Sequence, residues 1–172
     1  MPRPTPSPSL LSPVRQAWGL LAWLLLCAGV AALGARASVS AAGFYEALQR
    51  PDWAPPAGLF GPAWTLLYTL MAVAAWLVWR RGGWHVQRVP LTVFLAQLAM
   101  NGLWSWLFFA WQLGGPAFID IALLIVAVLA TILLFWRAQR LAGALLLPYL
   151  AWISFAAALN WNVWQANPQL LG

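Results

Sequence analysis

The chain has 172 residues, of which 63% are hydrophobic and only 7% charged, and its mean hydropathy is +0.77. That composition excludes a soluble globular domain and marks an integral membrane protein. The formal charge of +6 comes from nine arginines and no lysine, set against Glu46, Asp52 and Asp120. In so apolar a chain it belongs to loops at a membrane surface and not to a nucleic-acid interface.

Residues 1–16 carry five of the thirteen prolines among Ser, Thr and Arg, and read as a disordered or extended tail. A membrane domain is expected over residues 17–167 and a short tail over 168–172. Ala17 to Ala35 contains no charge, and about nineteen residues at 1.5 Å each cross a hydrocarbon core of roughly 30 Å. Cys27 lies inside this first span and is the only cysteine, which excludes an intramolecular disulfide and a cysteine metal cluster. It reads as a small apolar residue. Ala35-Arg36-Ala37 resembles a signal-peptidase site, but the apolar run before it is long for a signal core, so the span is expected to be retained.

The long connection Ser38 to Gly61 is where function is first sought, because long ordered loops carry it disproportionately. Its segment Arg50-Pro51-Asp52-Trp53-Ala54-Pro55-Pro56 combines three prolines with one Trp. Proline fixes φ and restrains the preceding residue, so this stretch loses little entropy on folding over a bundle. Trp53 is expected to anchor it, either as a plug of the bundle mouth or as part of a binding site. The second span, Pro62 to Trp79, places Trp64 and Tyr68 four apart on one face. That pair fits an inward surface with polar handles and equally fits packing against a neighbour.

Between spans two and three, from Arg80 to Pro90, His85 reads as a solvated side chain, since no second His exists to make an axial haem pair. In the third span, Leu91 to Trp111, Gln97, Asn101, Trp104 and Phe108 recur at helical spacing. Amides at that depth face the interior, where they hold helices together or meet a ligand. After Gln112 to Gly115, the fourth span runs from Pro116 to Trp136. Its Asp120, near the helix start, is either a functional carboxylate or one held by the helix dipole. Arg137 to Arg140 leads to the fifth span, Leu141 to Trp164, where Pro148 removes a donor and predicts a kink or local unwinding. Tyr149, Trp152, Ala156, Leu159, Asn160 and Val163 then share one face, and Ala156 to Ala158 leave room beside it.

The predicted fold is therefore all-α: a five-transmembrane-helix bundle with short connections, consecutive spans antiparallel neighbours, and a long ordered loop between helices 1 and 2. Arg3, Arg15, Arg80, Arg81, Arg88, Arg137 and Arg140 fall on one side and Arg36 and Arg50 on the other, which predicts the amino terminus and even-numbered loops inside and the carboxyl terminus outside. Ala28, Ala32, Ala96 and Ala99 permit close helix approach between copies. No Ser/His/Asp set, paired carboxylates or phosphate loop is present, and no metal site is expected. Of fourteen tryptophans, Trp18, Trp79, Trp84, Trp111, Trp136 and Trp164 lie near span ends and need only an interfacial role, while Trp23, Trp76, Trp106 and Trp161 are open between lipid and packing.

Four motifs occur in order: Phe44-Tyr45-Glu46-Ala47-Leu48-Gln49-Arg50-Pro51-Asp52-Trp53-Ala54-Pro55-Pro56, then Ala63-Trp64-Thr65-Leu66-Leu67-Tyr68, then Gln97-Leu98-Ala99-Met100-Asn101-Gly102-Leu103-Trp104 with Phe108-Phe109, and Pro148-Tyr149-Leu150-Ala151-Trp152 leading to Leu159-Asn160-Trp161. In these the chain resembles the translocator protein family, also called tryptophan-rich sensory proteins or TspO/MBR, in a bacterial-type form. The resemblance implies a homodimeric five-helix bundle in a bacterial cell membrane. Its cavity would bind porphyrins, haem-like tetrapyrroles, sterols and other hydrophobic molecules, in their transport, sensing or regulation, with no cofactor required.

The positions implied around that cavity are Phe44, Tyr45, Trp53, Phe60, Trp64, Tyr68, Asn101, Trp104, Trp152, Ala156 and Leu159. Asn101 would supply a directional hydrogen bond, and Arg36 or Arg50 would meet acidic substituents at the mouth. Two alternatives are a light-dependent porphyrin-degrading enzyme, with Trp152 and Tyr45 as the redox candidates, and a regulatory protein acting on a membrane partner. Phe44 stands where porphyrin-degrading members carry Trp, and it lacks an easily oxidised indole. The family's sterol motif in the last helix expects Tyr and a basic residue, and Leu159 to Gln165 has neither.

Overall fold

The structure is a computed structural model in which residues 10–39 and 41–172 are described. The elements are α1 (Pro13–Ala37), α2 (Ala41–Ala47), a 3₁₀ turn (Ala57–Leu59) running into α3 (Phe60–Trp79), α4 (Gly83–Val86), and α5 (Arg88–Ser105), which continues as a π-helical turn (Trp106–Ala110). They are followed by α6 (Gly114–Ala138), α7 (Arg140–Ala144), α8 (Leu147–Ala166) and α9 (Pro168–Leu171). No strand occurs among the described residues. Five helical segments, Pro13–Ala37, Ala57–Trp79, Arg88–Ala110, Gly114–Ala138 and Arg140–Ala166, are long and apolar enough to cross a membrane.

Residues 1–9 of the expected tail lie outside the described residues, but α1 begins at Pro13, because proline in the first turn lacks only a donor that would be unsatisfied there. At the other end, Pro168–Leu171 is helical. α9 adds one more turn, and Leu171 is buried against the bundle.

The five spans close into a ring in which α1 packs against α3 and α5, α6 against α5 and α8, and α7 against α3. Consecutive spans are thus neighbours, with one exception. The α3–α5 contact is small, because α1 packs against both. α1 makes that approach through a stripe of small and apolar residues, Gly19, Trp23, Cys27 and Gly34. Trp79 lies so close to Gly19 that a Cβ there would overlap its ring. Trp23 meets Phe94 edge-on at 5.7 Å, and Phe94 stacks on Phe135 of α6 at 5.6 Å. Trp76 donates its indole N–H to the Gln16 carbonyl at 2.8 Å.

Two tryptophans at span ends therefore do more than sit at an interface. Trp79 fills the α1–α3 contact, and Trp164 lies over Gly114 and Gly115 at the start of α6. In contrast Trp18, Trp84, Trp111 and Trp136 are exposed. Pro148 acts as expected. The fifth span breaks at Leu145–Leu146, and α8 restarts with the proline in its first turn.

The long loop is held at two points. Asn167 Oδ1 accepts from the Gln49 backbone N–H at 2.8 Å, and Asn167 Nδ2 donates to the Gln49 carbonyl at 2.9 Å. Tyr45, 3% exposed, donates its hydroxyl to the Pro55 carbonyl at 3.0 Å. One amide side chain thus completes a two-bond, sheet-like pair with backbone that has no helical partner. Asn167→Ala is expected to remove about 1–3 kcal/mol of local stability. Hydrogen exchange should then accelerate across residues 41–56 and leave α6 unchanged.

Candidate functional site

The middle of the bundle is crossed by a chain of buried hydrogen bonds. Tyr68 of α3 donates to Asn101 Oδ1 of α5. Asn101 Nδ2 donates to the Tyr149 hydroxyl of α8 at 2.9 Å, and that hydroxyl donates to Gln97 Oε1 at 3.0 Å. Gln97 Nε2 reaches the Met71 sulfur at 4.0 Å. A second tie lies nearer the loop end, where the Trp104 N–H donates to Asn160 Oδ1 at 3.1 Å and Asn160 Nδ2 donates to the Gly114 carbonyl at 3.1 Å. In an apolar interior a buried polar group without a partner is costly, and these groups are paired.

Beside this relay, at the end of the bundle that carries the loop, lies a cavity of about 400 Å³. Three elements build its walls at helical spacing. α1 and its last turn present Ala31, Gly34, Ala35 and Ser38, which are small and leave the space open. α3 presents Gly61, Trp64, Thr65 and Tyr68. Tyr45 of α2 with Ala57 and Phe60 forms the loop side, and Ser105 with Phe109 of the π-helical turn completes the wall. π-helical turns shift a helix face by one residue and recur at functional sites. Here the turn places Phe108 in the core, stacked on Trp104 at 5.4 Å, and Phe109 at the cavity.

Tyr45 is the best-held group of the loop side. Its ring meets Phe60 at 5.4 Å, and the Arg50 guanidinium sits 4.6 Å above it. Burial pushes the phenol's pKa up, and the adjacent Arg50 partly pulls it back. Tyr45 is thus neutral and a donor across ordinary pH.

Of the residues singled out from the sequence, Tyr45, Phe60, Trp64 and Tyr68 line this cavity. The others lie elsewhere. Asn101 and Trp104 are buried in the relay with their polar atoms engaged, so Asn101 is not a free donor for a ligand. Ala156 and Leu159 are buried in the α8 core, and neither borders a described cavity. Phe44 is half-buried against Phe108 at 6.3 Å. Trp53 is 49% exposed and rests edge-on against Phe155 at 5.6 Å, on the outside of the loop. Trp152 stands behind the cavity wall, meeting Phe60 at 6.0 Å and Trp64 at 6.3 Å. It also forms part of a second, apolar groove of about 490 Å³ between α3 and α8, with Pro55, Leu66 and Phe155.

Sequence reasoning missed the α1 wall, Ser105, Thr65 and Phe109. A signal for the first was present: Ala31, Gly34, Ala35 and Ser38 are a run of small residues at three-to-four spacing at the end of a span. Asp120, one of three carboxylates, is 8% exposed in α6, and its Oδ2 has no hydrogen-bond partner. Among the described residues no group of three or more His, Cys, Asp or Glu is arranged to hold a metal ion.

A ring of five apolar helices around a polar relay, with an aromatic cavity beneath an ordered loop, defines a multi-pass helical membrane protein with a built pocket. The sequence profile of the TspO/MBR family matches residues 22–165, and the chain belongs to that family. It is 44% identical over 124 residues to the tryptophan-rich protein TspO of Archaeoglobus fulgidus, covering 72% of this chain and 80% of that one. Similarity to the human translocator protein is 39% identity over 126 residues, or 72% of this chain and 75% of the human one. The tryptophan-rich protein TspO of Chlorobaculum tepidum is 39% identical over 152 residues, covering 84% of this chain and 96% of that protein.

The relay makes a definite stability prediction. Tyr68→Phe leaves the buried Asn101 Oδ1 without its donor and should cost about 1–3 kcal/mol. Thr65→Val, one turn away, removes only an exposed bond to its own helix, Oγ1 to the Gly61 carbonyl, and should shift the thermal midpoint in detergent far less.

Proposed function

We propose that the protein binds a planar hydrophobic molecule of the tetrapyrrole class, a porphyrin or haem-like ring, in the cavity between α1, α3 and the long loop, and that it acts in the transport or sensing of that ligand. The carrying observation is the cavity wall itself: five aromatic residues, Tyr45, Phe60, Trp64, Tyr68 and Phe109, line it together with the small residues of α1. Its size falls among small-molecule sites, which are mostly apolar with a few placed polar groups. Aromatic faces stack on a flat macrocycle, and the small residues of α1 leave room for its width.

Besides the phenols of Tyr45 and Tyr68, which are bonded to Pro55 and Asn101, the polar side chains in the wall are the hydroxyls of Ser38, Thr65 and Ser105. With Asn101 committed to Tyr68 and Tyr149, Ser105 takes the part of a directional partner. Arg36 and Arg50 are both exposed and adjoin the wall, the first next to Ala35 and the second stacked on Tyr45, where acidic substituents of a ligand would be met. Sterols and other hydrophobic ligands fit the same apolar wall. For a homodimer, Ala28, Ala32, Ala96 and Ala99 are all exposed on α1 and α5, as a close contact between copies requires.

Protoporphyrin IX should quench the protein's tryptophan fluorescence saturably in detergent. Ala31→Phe, which fills the cavity from α1 and leaves the relay intact, should weaken binding roughly tenfold, equivalent to about 1.4 kcal/mol, with an unchanged thermal midpoint. Absence of saturable quenching in the parent protein, or equal affinity in Ala31→Phe, overturns the proposal.

A further inference from the structure

The chain's charges are segregated along the bundle. Arg15 precedes or opens α1, Arg80, Arg81 and Arg88 lie around α4, and Arg137 and Arg140 lie where α6 turns into α7, so all six share one end. That common end is confirmed by contacts: Leu11 donates its backbone N–H to the Arg80 carbonyl, and Arg81 Nη1 donates to the Ala138 carbonyl at 3.1 Å. The carboxylates are elsewhere. Glu46 and Asp52 belong to the long loop, and Asp120 is about 25 Å from Arg137 along α6 at 1.5 Å per residue. None of the three lies at the arginine end, so no carboxylate side chain there neutralises the arginines.

At this end the α6–α7 turn forms a pocket of about 420 Å³ lined by Arg81, Arg137 and Arg140 with Gln139 and Trp136. Three arginines line this one pocket, with no carboxylate among its lining residues. Arg81 is anchored through Nη1, and its Nε–H is buried without a hydrogen-bond partner. Gln139 likewise has a buried carbonyl oxygen without a partner. Extended backbone at Gln139 separates the two helices and opens the turn. Trp136 and Trp84, 45% and 40% exposed, place this end at the level where indole rings meet the bilayer surface.

We propose that this pocket is a binding site for the phosphate of an anionic lipid headgroup. Planar guanidinium forks match phosphate oxygens two at a time, and basic pockets between membrane helices hold such headgroups. Arg137 and Arg140 supply exposed charge, Arg81 supplies the unpartnered donor from the bundle side, and the Gln139 oxygen accepts from a headgroup hydroxyl. A lipid is favoured over free phosphate because the half-exposed Trp136 lines the pocket and sets it at the level of the bilayer surface, where lipid phosphates are concentrated.

The test is native mass spectrometry of the full chain in neutral detergent, titrated with phosphatidylglycerol, with phosphatidylcholine, and with inorganic phosphate as competitor. The parent should retain phosphatidylglycerol in preference to phosphatidylcholine, and inorganic phosphate should not displace it. R137Q/R140Q should weaken phosphatidylglycerol binding roughly tenfold. R15Q/R88Q removes the same charge from the same end outside the pocket and should leave affinity within about a factor of two. Arg81→Lys keeps the charge and the fold but loses the fork, and should weaken binding severalfold even where the double variant fails to fold. Equal losses in R137Q/R140Q and R15Q/R88Q, no preference over phosphatidylcholine, or displacement by inorganic phosphate would each overturn the assignment, the last by making the pocket a free-anion site.

Discussion

The fold depends on four buried polar side chains whose hydroxyl and amide groups bond chiefly to one another. Tyr68, Asn101, Tyr149 and Gln97 come from three different helices, and in an apolar interior a misplaced partner leaves a costly unpaired group. A rotation of α3, α5 or α8 by one residue would replace two or three satisfied groups with bare donors and acceptors. In a protein whose helices are nearly as apolar on one face as on another, hydrophobicity alone does not choose between such rotations. Directional bonds choose, and the register of the bundle follows.

The same constraint sets the cavity. Tyr68 turns its hydroxyl into the relay and its ring toward the open space, so the cavity wall is the outer surface of the relay. Neighbouring aromatic rings extend that wall to the loop. Trp64 meets Tyr68, Tyr149 and Trp152; Trp152 meets Phe60; and Phe60 meets Tyr45. The loop end is then closed by bonds from Tyr45 to Pro55 and from Asn167 to Gln49. A ligand entering here would meet rings already held by packing, which lowers the entropy lost on binding.

The two ends of the molecule differ in kind. At the loop end the cavity wall is aromatic with a few hydroxyls, and Arg36 and Arg50 adjoin it, suited to a flat hydrophobic guest with acidic substituents. At the opposite end, arginines without local counter-charges line a turn between helices. Both features arise from where the chain reverses direction. Short turns between spans carry the arginines, and the single long connection has enough residues to fold its own helix and a proline-rich strap over the bundle.

Five spans, the break ahead of Pro148, the shared face of Trp64 with Tyr68 and the buried stripe Gln97, Asn101, Trp104 and Phe108 were all legible in the sequence. Each is a matter of hydropathy or helical spacing within one segment, and a single helix determines these by itself. The starts of α1 and α9 were less legible, since each begins on a proline, a residue that ends helices as readily as it opens them. What only the tertiary structure decided was the allocation of polar and aromatic groups between packing and cavity. Asn101 and Trp104 have the residue types of a binding site, yet their partners Tyr149 and Asn160 lie 48 and 56 residues away and consume them. Ala31, Gly34, Ala35 and Ser38 have the residue types of a packing stripe, yet they border open space. Hydrogen-bond satisfaction and unfilled volume belong to pairs of helices, and no one segment of sequence specifies them.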